Sequence, residues 1–469
     1  MLPIEGQPIL TAAQMRVAEA AAAPTPDAMY ALMERAGAGV AEAVRRLAAG
    51  AEVLVLCGPG NNGGDGYVAA RVLREAGHAV RVAALGEPRS ALAVAARRRW
   101  TGVVEPLVDA APAPVLVDAL FGTGLTRPLD KTVAAAFGRL LDAANLSIAI
   151  DLPSHVDTDT GAVFNDEAIG RTALTFALGA LKPSHLLMPA ALYCGQTRVI
   201  GLSLAVEAEI RTATPPCFLI PRATDHKFSR GLVIVIAGTM PGAARLAAEA
   251  AAHGGAGYVT LLGDEDRAAA PHAIVRHAWS PEALHRALEG KENIALIVGP
   301  GLGRDDVGRD RLGAAISAGQ TMVIDGDALH LLDARTFATF HARDDDAVVL
   351  TPHEGEFRAL FGGWRGSKID AAREAARRAG ATVVFKGPDT VIATRNGEIV
   401  VFPTASRWLS TAGSGDVLSG AIAAAIVNVA VGDAAAAGVW MHAEAARRLG
   451  GAFLADDLAG ELSAVRSSL

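Results

Sequence analysis

Two α/β domains in tandem are predicted from three observations. Short aliphatic runs alternate with alanine-rich stretches in both halves, glycine-rich loops directly follow several of those runs, and the alternation lapses once, around residues 212–225. Alternation of this kind implies parallel sheets, since parallel strands need long crossover connections that are usually helical.

The bulk numbers agree. At roughly 150 residues per domain, 469 residues accommodate two domains with large cores. Hydrophobic residues make up 51% of the chain, yet no window approaches the roughly 18 uninterrupted apolar residues of a membrane span. The opening Met1-Leu2-Pro3-Ile4-Glu5-Gly6 lacks a cationic start and a long apolar run, so a cytoplasmic location is expected. Cys57, Cys194 and Cys217 show no Cys-x-x-Cys spacing, which argues against a zinc site or a disulfide framework. With a modest net charge of -7 and scattered lysine and arginine, a nucleic-acid partner is not expected, nor is a membrane. Small-molecule substrates and a homo-oligomer are.

In the first half the strand candidates are Val53-Leu56, Ala79-Ala84, Val115-Val117 and Ser147-Ile150. The first runs straight into Cys57-Gly58-Pro59-Gly60-Asn61-Asn62-Gly63-Gly64-Asp65-Gly66, with a helix expected from Tyr67 to Glu75. Gly58, Gly60 and Gly63 match the dinucleotide fingerprint, in which glycines let the backbone approach a phosphate at a helix N-terminus. The acid that an ordinary dehydrogenase carries at the end of the second strand is missing from Val80-Leu85. Asn61, Asn62 and Asp65 add three polar side chains that a purely structural turn does not need. Two further loops follow strands, Asp118-Ala119-Leu120-Phe121-Gly122-Thr123-Gly124 and Asp151-Leu152-Pro153-Ser154. Singly, either aspartate is more often a turn former or helix cap. In a parallel sheet, however, such loops converge at the carboxyl edge, where together they form a site.

At this point the sequence resembles the NAD(P)H-hydrate epimerase family over roughly residues 8 to 205. The resemblance rests on Thr11-Ala12-Ala13-Gln14-Met15-Arg16, Leu32-Met33-Glu34-Arg35-Ala36-Gly37, the Asn-Asn-Gly-Gly-Asp-Gly loop and the two Asp-led loops. It implies a Rossmann-like three-layer domain whose substrate pocket is lined by Asn61, Asn62, Gly63, Gly64 and Asp65 and by Gly122, Thr123, Gly124, Leu125, Thr126, Arg127 and Pro128. It further implies that Asp151 contacts the hydrated nucleotide and that Asn62, Asp118 and Ser154 hold K+. Oxygen ligands suit a hard cation, and a carboxylate can shuttle a proton while a carbinolamine centre inverts; Asp151 is taken as that catalytic proton carrier. Where the family has glycine after Ser154, this chain has His155, read as a surface substitution.

The strand and helix pattern lapses at Thr212-Ala213-Thr214-Pro215-Pro216 and Arg222-Ala223-Thr224-Asp225-His226. The expected boundaries are therefore 1–212 for the first domain, 213–225 for a linker and 226–469 for the second. Strand candidates there are Leu232-Ala237, Tyr258-Leu262, Ile294-Val298, Met322-Ile324, Ala347-Leu350 and Thr382-Phe385.

Near the C-terminus, Ser410-Thr411-Ala412-Gly413-Ser414-Gly415-Asp416 precedes a small-residue apolar stretch expected to be a buried helix. The plain reading is an N-cap. Glycines on both sides of Ser414 also let several N–H groups face one anion, and Asp416 beside them is a candidate catalytic base. That is an arrangement phosphoryl transfer requires. Gly299-Pro300-Gly301-Leu302-Gly303, Asp325-Gly326-Asp327, Thr351-Pro352-His353-Glu354-Gly355-Glu356 and Lys386-Gly387-Pro388-Asp389-Thr390 each follow an aliphatic run as well.

This half resembles ribokinase-like α/β proteins, most nearly the ADP-dependent NAD(P)H-hydrate dehydratases, from about His226 onward. The specific supports are Gly238-Thr239-Met240-Pro241-Gly242-Ala243-Ala244, Gly254-Gly255-Ala256-Gly257-Tyr258-Val259-Thr260 and the His-Glu-Gly-Glu and Gly-Ser-Gly-Asp motifs. The resemblance implies that Lys386, Gly387, Pro388, Asp389, Thr390 and Gly415 contact the adenine nucleotide. Ala243, Gly301, His353 and Asp416 would contact the hydrate. The Gly413, Ser414 and Gly415 amides would stabilise a phosphoryl group taken from ADP, with Mg2+ required and Glu356 an indirect ligand. Two rivals differ: a vitamin-precursor kinase would share the anion loop, and a non-catalytic first domain would share the scaffold.

Overall fold

The computed structural model describes all residues except 207, 219, 264–270, 344–346, 404 and 430. Its chain forms two compact units, Met1–Thr212 and Ala213–Leu469.

The first unit contains β1 (Val53–Cys57), β2 (Val80–Ala84), β3 (Val104–Pro106), β4 (Val115–Ala119), β5 (Leu146–Ile150), β6 (Leu174–Leu178), β7 (Gln196–Ile200) and the short β8 (Ile210–Thr212). Its helices are α1 (Ala12–Ala22), α2 (Pro26–Ala48), α3 (Asn61–Glu75), α4 (Ala91–Arg99) and α5 (Lys131–Ala143). Strands β1 to β7 form one sheet in the order β3-β2-β1-β4-β5-β6-β7, every pairing parallel. This is the doubly wound order, with its topological switch between β1 and β4.

Why its strands read as continuous apolar runs is visible in β1. Val53, Val55 and Cys57 pack with α2 and α3 in one cluster, while Leu54 and Leu56 pack with α5 in another. Both faces of the sheet are covered, so no position along the strand can be polar. The result is three layers.

The second unit's helices are α6 (Pro241–His253), α7 (Pro281–Leu288), α8 (Asp306–Ser317), α9 (Ala334–His341), α10 (Glu354–Phe361), α11 (Lys368–Ala379), α12 (Ser414–Ile426), α13 (Val431–Leu449) and α14 (Ala455–Ser467). Its strands are β9 (Leu232–Ile236), β10 (Tyr258–Leu262), β11 (Val275–His277), β12 (Ile294–Val298), β13 (Thr321–Ile324), β14 (Val348–Leu350), β15 (Thr382–Phe385), β16 (Val391–Ala393) and β17 (Ile399–Val401). They lie in the order β11-β10-β9-β12-β13-β14-β15-β16-β17. Pairing is parallel as far as β15 and antiparallel across β16 and β17. The core on one face is built by α6, α12, α13 and α14. Helix α12 is buried from Val417 through Ile426, and a Cβ at Gly420 would meet the Ala247 carbonyl oxygen at 2.2 Å. Small residues therefore let α12 and α6 approach closely.

Two helices begin earlier than the sequence suggests. α3 starts at Asn61, six residues before Tyr67, and α12 starts at Ser414. In both cases the polar loop residues occupy the first turns of a helix. Glycine penalises a helix interior, but Gly63 sits in α3 because nothing larger fits: a Cβ there would lie 1.9 Å from the Gly58 carbonyl oxygen.

Candidate functional site

Strand order places three loops at the carboxyl edge of the first sheet, after β1, β4 and β5. A Cβ added to Gly122 would stand 3.1 Å from Asn62 Oδ1 and 3.2 Å from Asp151 Oδ2, so those two oxygens converge on the bare backbone of Gly122. Asn62 Nδ2 is buried with no partner. Within the glycine loop Asn61 is exposed and Gly63, Gly64 and Asp65 are buried. Of the next loop, Leu125 turns into the core cluster with Leu120, Leu129 and Phe137, whereas Gly124, Thr126, Arg127 and Pro128 are exposed and Thr123 is half-buried. The side chain of Leu125 therefore anchors the loop.

Asp118 is a heavily engaged carboxylate. Oδ1 accepts from Leu120 N–H at 3.1 Å and from the Ser154 hydroxyl at 2.6 Å, and Oδ2 accepts from Ser154 N–H at 2.8 Å. The Ser154 hydroxyl oxygen in turn accepts from Phe121 N–H at 2.7 Å. Burial pushes the Asp118 pKa up to about 6, against the opposing pull of those hydrogen bonds. Lone pairs remain on Asp118, on Ser154 and on the Asn62 carbonyl, and oxygen donors of this kind are those a hard cation takes. Among the described residues no group of three or more His, Cys, Asp or Glu side chains could hold a metal ion.

Asp151 follows β5 with φ of +65°, a left-handed conformation uncommon outside glycine. Its Oδ1 accepts from Leu178 N–H at 3.1 Å and from the Lys182 ammonium. Lys182 Nζ also donates to the carbonyl oxygens of Leu178 at 2.9 Å and Ala180 at 3.1 Å. His185 Nδ1 accepts from Lys182 N–H at 2.8 Å, so Nε2 carries the proton and donates to the Asp151 carbonyl at 2.7 Å. Burial, together with Lys182, lowers the His185 pKa to about 4, consistent with a neutral ring. Asp65 is raised well above the usual carboxylate range, first by burial and then by the charges of Asp151 and Glu19. Glu19, on α1, is raised for the same leading reason.

Lys182, His185 and Glu19 were not legible as site residues. The one available signal is that Lys182-Pro183 comes shortly after an apolar run, Leu174–Leu178, which is absent from the strand candidates. His155 is a correction. It is wholly buried, not superficial, with its ring edge-on to Tyr193 at 5.0 Å and both ring nitrogens unpartnered. Aromatic walls from Phe137 and Tyr193 accept its apolar ring body, and burial lowers its pKa to about 4.

In the second unit Asp416 lies in the first turn of α12, behind Gly413 at φ of +85°. Gly413 is held close to Leu246 of α6, within 2.6 Å of where its Cβ would be. Nearby, Lys386 donates to Asp325 Oδ1 at 2.8 Å, the Ser419 hydroxyl donates to Asp325 Oδ2 at 2.7 Å, and Glu356 Oε2 stands 3.9 Å from Lys386 Nζ. A Cβ at Gly415 would lie 3.5 Å from that ammonium. Burial alone would raise Asp325, but Lys386, Ser419 and Thr351 bring it below the usual range. Burial likewise works against the Lys386 charge, and Asp325 and Glu356 outweigh it to raise its pKa. Asp416 goes up to about 6, through burial first and the charge of Asp325 second, with Lys386 opposing.

The remaining predicted residues stand in the loops after β12, β14 and β15 and in the first turn of α6. His353 caps α10, its Nδ1 accepting from Gly355 and Glu356 N–H while Glu356 Oε2 accepts from His353 N–H at 2.9 Å. Glu356 thus links His353 to Lys386. Ala243 lies in the first turn of α6, and Met240, the residue ahead of that helix, donates from N–H to the Gly301 carbonyl at 3.0 Å. Thr390 closes a turn on Gly387, and Asp389 pairs with Lys368 at 2.7 Å. Lys368 was missed, as was Ser419, one turn beyond Gly415 in a stretch that reads as plain core.

The two units thus define an enzyme of nucleotide-binding α/β domains. A model described as YjeF-related protein N-terminus matches residues 29–184, and one described as NAD(P)H-hydrate dehydratase matches 233–465. The bifunctional NAD(P)H-hydrate repair enzyme Nnr of Mycobacterium tuberculosis (strain CDC 1551 / Oshkosh) is 36% identical over 446 residues, covering 90% of each chain. That of Thermofilum pendens is 34% identical over 460 residues, covering 88% of this chain and 86% of its own. A solved ADP/ATP-dependent NAD(P)H-hydrate dehydratase from Bacillus subtilis, co-crystallized with ATP and Mg2+, is 25% identical with a TM-score of 0.45, covering 53% of this chain and 93% of its own. The chain belongs to the family of bifunctional NAD(P)H-hydrate repair enzymes.

Proposed function

We propose that the first unit interconverts the R and S epimers of hydrated NADH and NADPH, and that the second dehydrates the S epimer at the expense of ADP. The observation that carries the second activity is Asp416, a carboxyl raised to about 6 at the N-terminus of α12, beside the Lys386–Asp325 pair. Hydroxide leaves the hydrated ring poorly. Asp416 takes the proton of the ring hydroxyl as its oxygen attacks the terminal phosphorus of ADP, releasing AMP. Phosphate then departs with the C–O bond electrons, and loss of a proton from the adjacent ring carbon restores the double bond. The Gly413 to Gly415 amides and Lys386 face the transferred charge. Lys386 to Thr390 hold the nucleotide, and Ala243, Gly301 and His353 the hydrate. Magnesium, when bound, neutralises phosphate charge, with Glu356 an indirect ligand.

In the first unit Asp151 Oδ2 carries the proton, next to Asn62 and Gly122. Asn61 to Asp65 and Gly122 to Pro128 line the substrate. Asn62, Asp118 and Ser154 hold potassium, which supplies a fixed positive charge.

The experiment supplies mixed epimers of hydrated NADH with ADP and Mg2+ and follows the reduced-nicotinamide absorbance. Consumption of both epimers with release of AMP and phosphate supports both activities. A stable phosphorylated product would sink the dehydratase reading in favour of a kinase. One epimer left behind would sink the epimerase reading.

A further inference from the structure

Lys182 is among the most buried charged side chains of the first unit, and the three hydrogens of its ammonium have three acceptors: Asp151 Oδ1 and the carbonyls of Leu178 and Ala180. No hydrogen is left over for a substrate. On the carboxylate, Lys182 and Leu178 N–H occupy Oδ1, which leaves Oδ2 as the oxygen facing Gly122 and Asn62. His185 acts on the other end of the same residue: its Nε2 donates to the Asp151 carbonyl, and its Nδ1 accepts from Lys182 N–H. Side chain and backbone of Asp151 are thus held by two residues three apart on one loop.

We propose that Lys182 and His185 are positioning residues that clamp Asp151, Lys182 fixing its carboxylate with Oδ2 toward the substrate and His185 holding its left-handed backbone. The inference rests on the reading of the first unit as an epimerase. A residue at positive φ persists only when its surroundings over-determine it, and this loop supplies those surroundings. A carboxylate held in one orientation is productive in every encounter, so the clamp acts on kcat more than on KM.

The test uses the full-length protein without ADP, starting from purified S hydrate and following the appearance of the R epimer. Lys182→Met is expected to lower kcat for exchange on the order of 100-fold with KM little changed. Lys182→Arg keeps the charge and the donors and is expected to recover part of the rate. Should Lys182→Met fail to fold, His185→Asn serves in its place, since its amide oxygen replaces Nδ1 but cannot reach the Asp151 carbonyl. It is expected to lower kcat alone.

Wild-type exchange in a folded Lys182→Met or His185→Asn protein overturns the clamp, provided Asp151→Asn has lost exchange. Full exchange in Asp151→Asn, or none in the wild type, overturns the epimerase reading and the clamp with it.

Discussion

Lys386 places its ammonium 2.8 Å from Asp325 Oδ1 and so neutralises Asp325 rather than Asp416. Asp416 is left partly buried with the Asp325 charge close by, and its pKa rises to about 6. As a base it works only when ionised. Dehydration kcat/KM is therefore expected to be level above about pH 6 and to fall tenfold per pH unit below it. Lys386→Met removes a cation that lowers this pKa and should move the limb to higher pH. A profile flat down to pH 4 would remove Asp416 from the role of base.

On the proposed assignment the two carboxylates serve separate reactions. Asp416→Asn should reduce dehydration by about 100-fold to 10000-fold while epimer exchange persists, and Asp151→Asn should do the reverse. Epimer ratios measured by chromatography, with and without ADP, separate the two losses. Joint loss in either single variant would contradict the division.

Asp118 offers the clearest stability test in the first unit. Asp118→Ala strands the buried N–H groups of Leu120 and Ser154 and removes the Ser154 hydroxyl's preferred acceptor. Each unsatisfied buried donor costs about 1–3 kcal/mol, so the urea transition of this unit should weaken by on the order of 2 kcal/mol or more. An unchanged midpoint would mean that the loop after β5 is held by something else.

His155 should make the protein acid-sensitive. Its folded pKa of about 4 lies below the ordinary histidine value, so the unfolded chain takes up the proton first as pH falls. The stability tied to this neutral ring is full above about pH 6.5 and is lost as pH falls toward about 4, by about 1.4 kcal/mol for each pH unit crossed. His155→Leu removes two unpartnered nitrogens and this proton linkage. Thermal unfolding at pH 5 and pH 8 should show a smaller gap between the two for the variant. An equal gap would show that His155 is solvated.

The sequence by itself determined the fold class, the order of the main elements and the candidate site segments. These are local properties: aliphatic runs bounded by glycine are legible one segment at a time, and Asp118 and Asp151 close such runs while Asn62 and Asp416 open helices behind glycine turns. Short strands such as β3 (Val104–Pro106) and β11 (Val275–His277) escaped because three residues carry no period. Only the tertiary structure decided which charges meet. Lys182 is 31 residues from Asp151, and Lys386 is 61 from Asp325; parallel crossovers bring distant strand ends to one edge, and nothing in either segment encodes the other. Burial was decided the same way. His155 reads as an ordinary polar residue, and only the packing of Phe137 and Tyr193 around it makes it part of the interior.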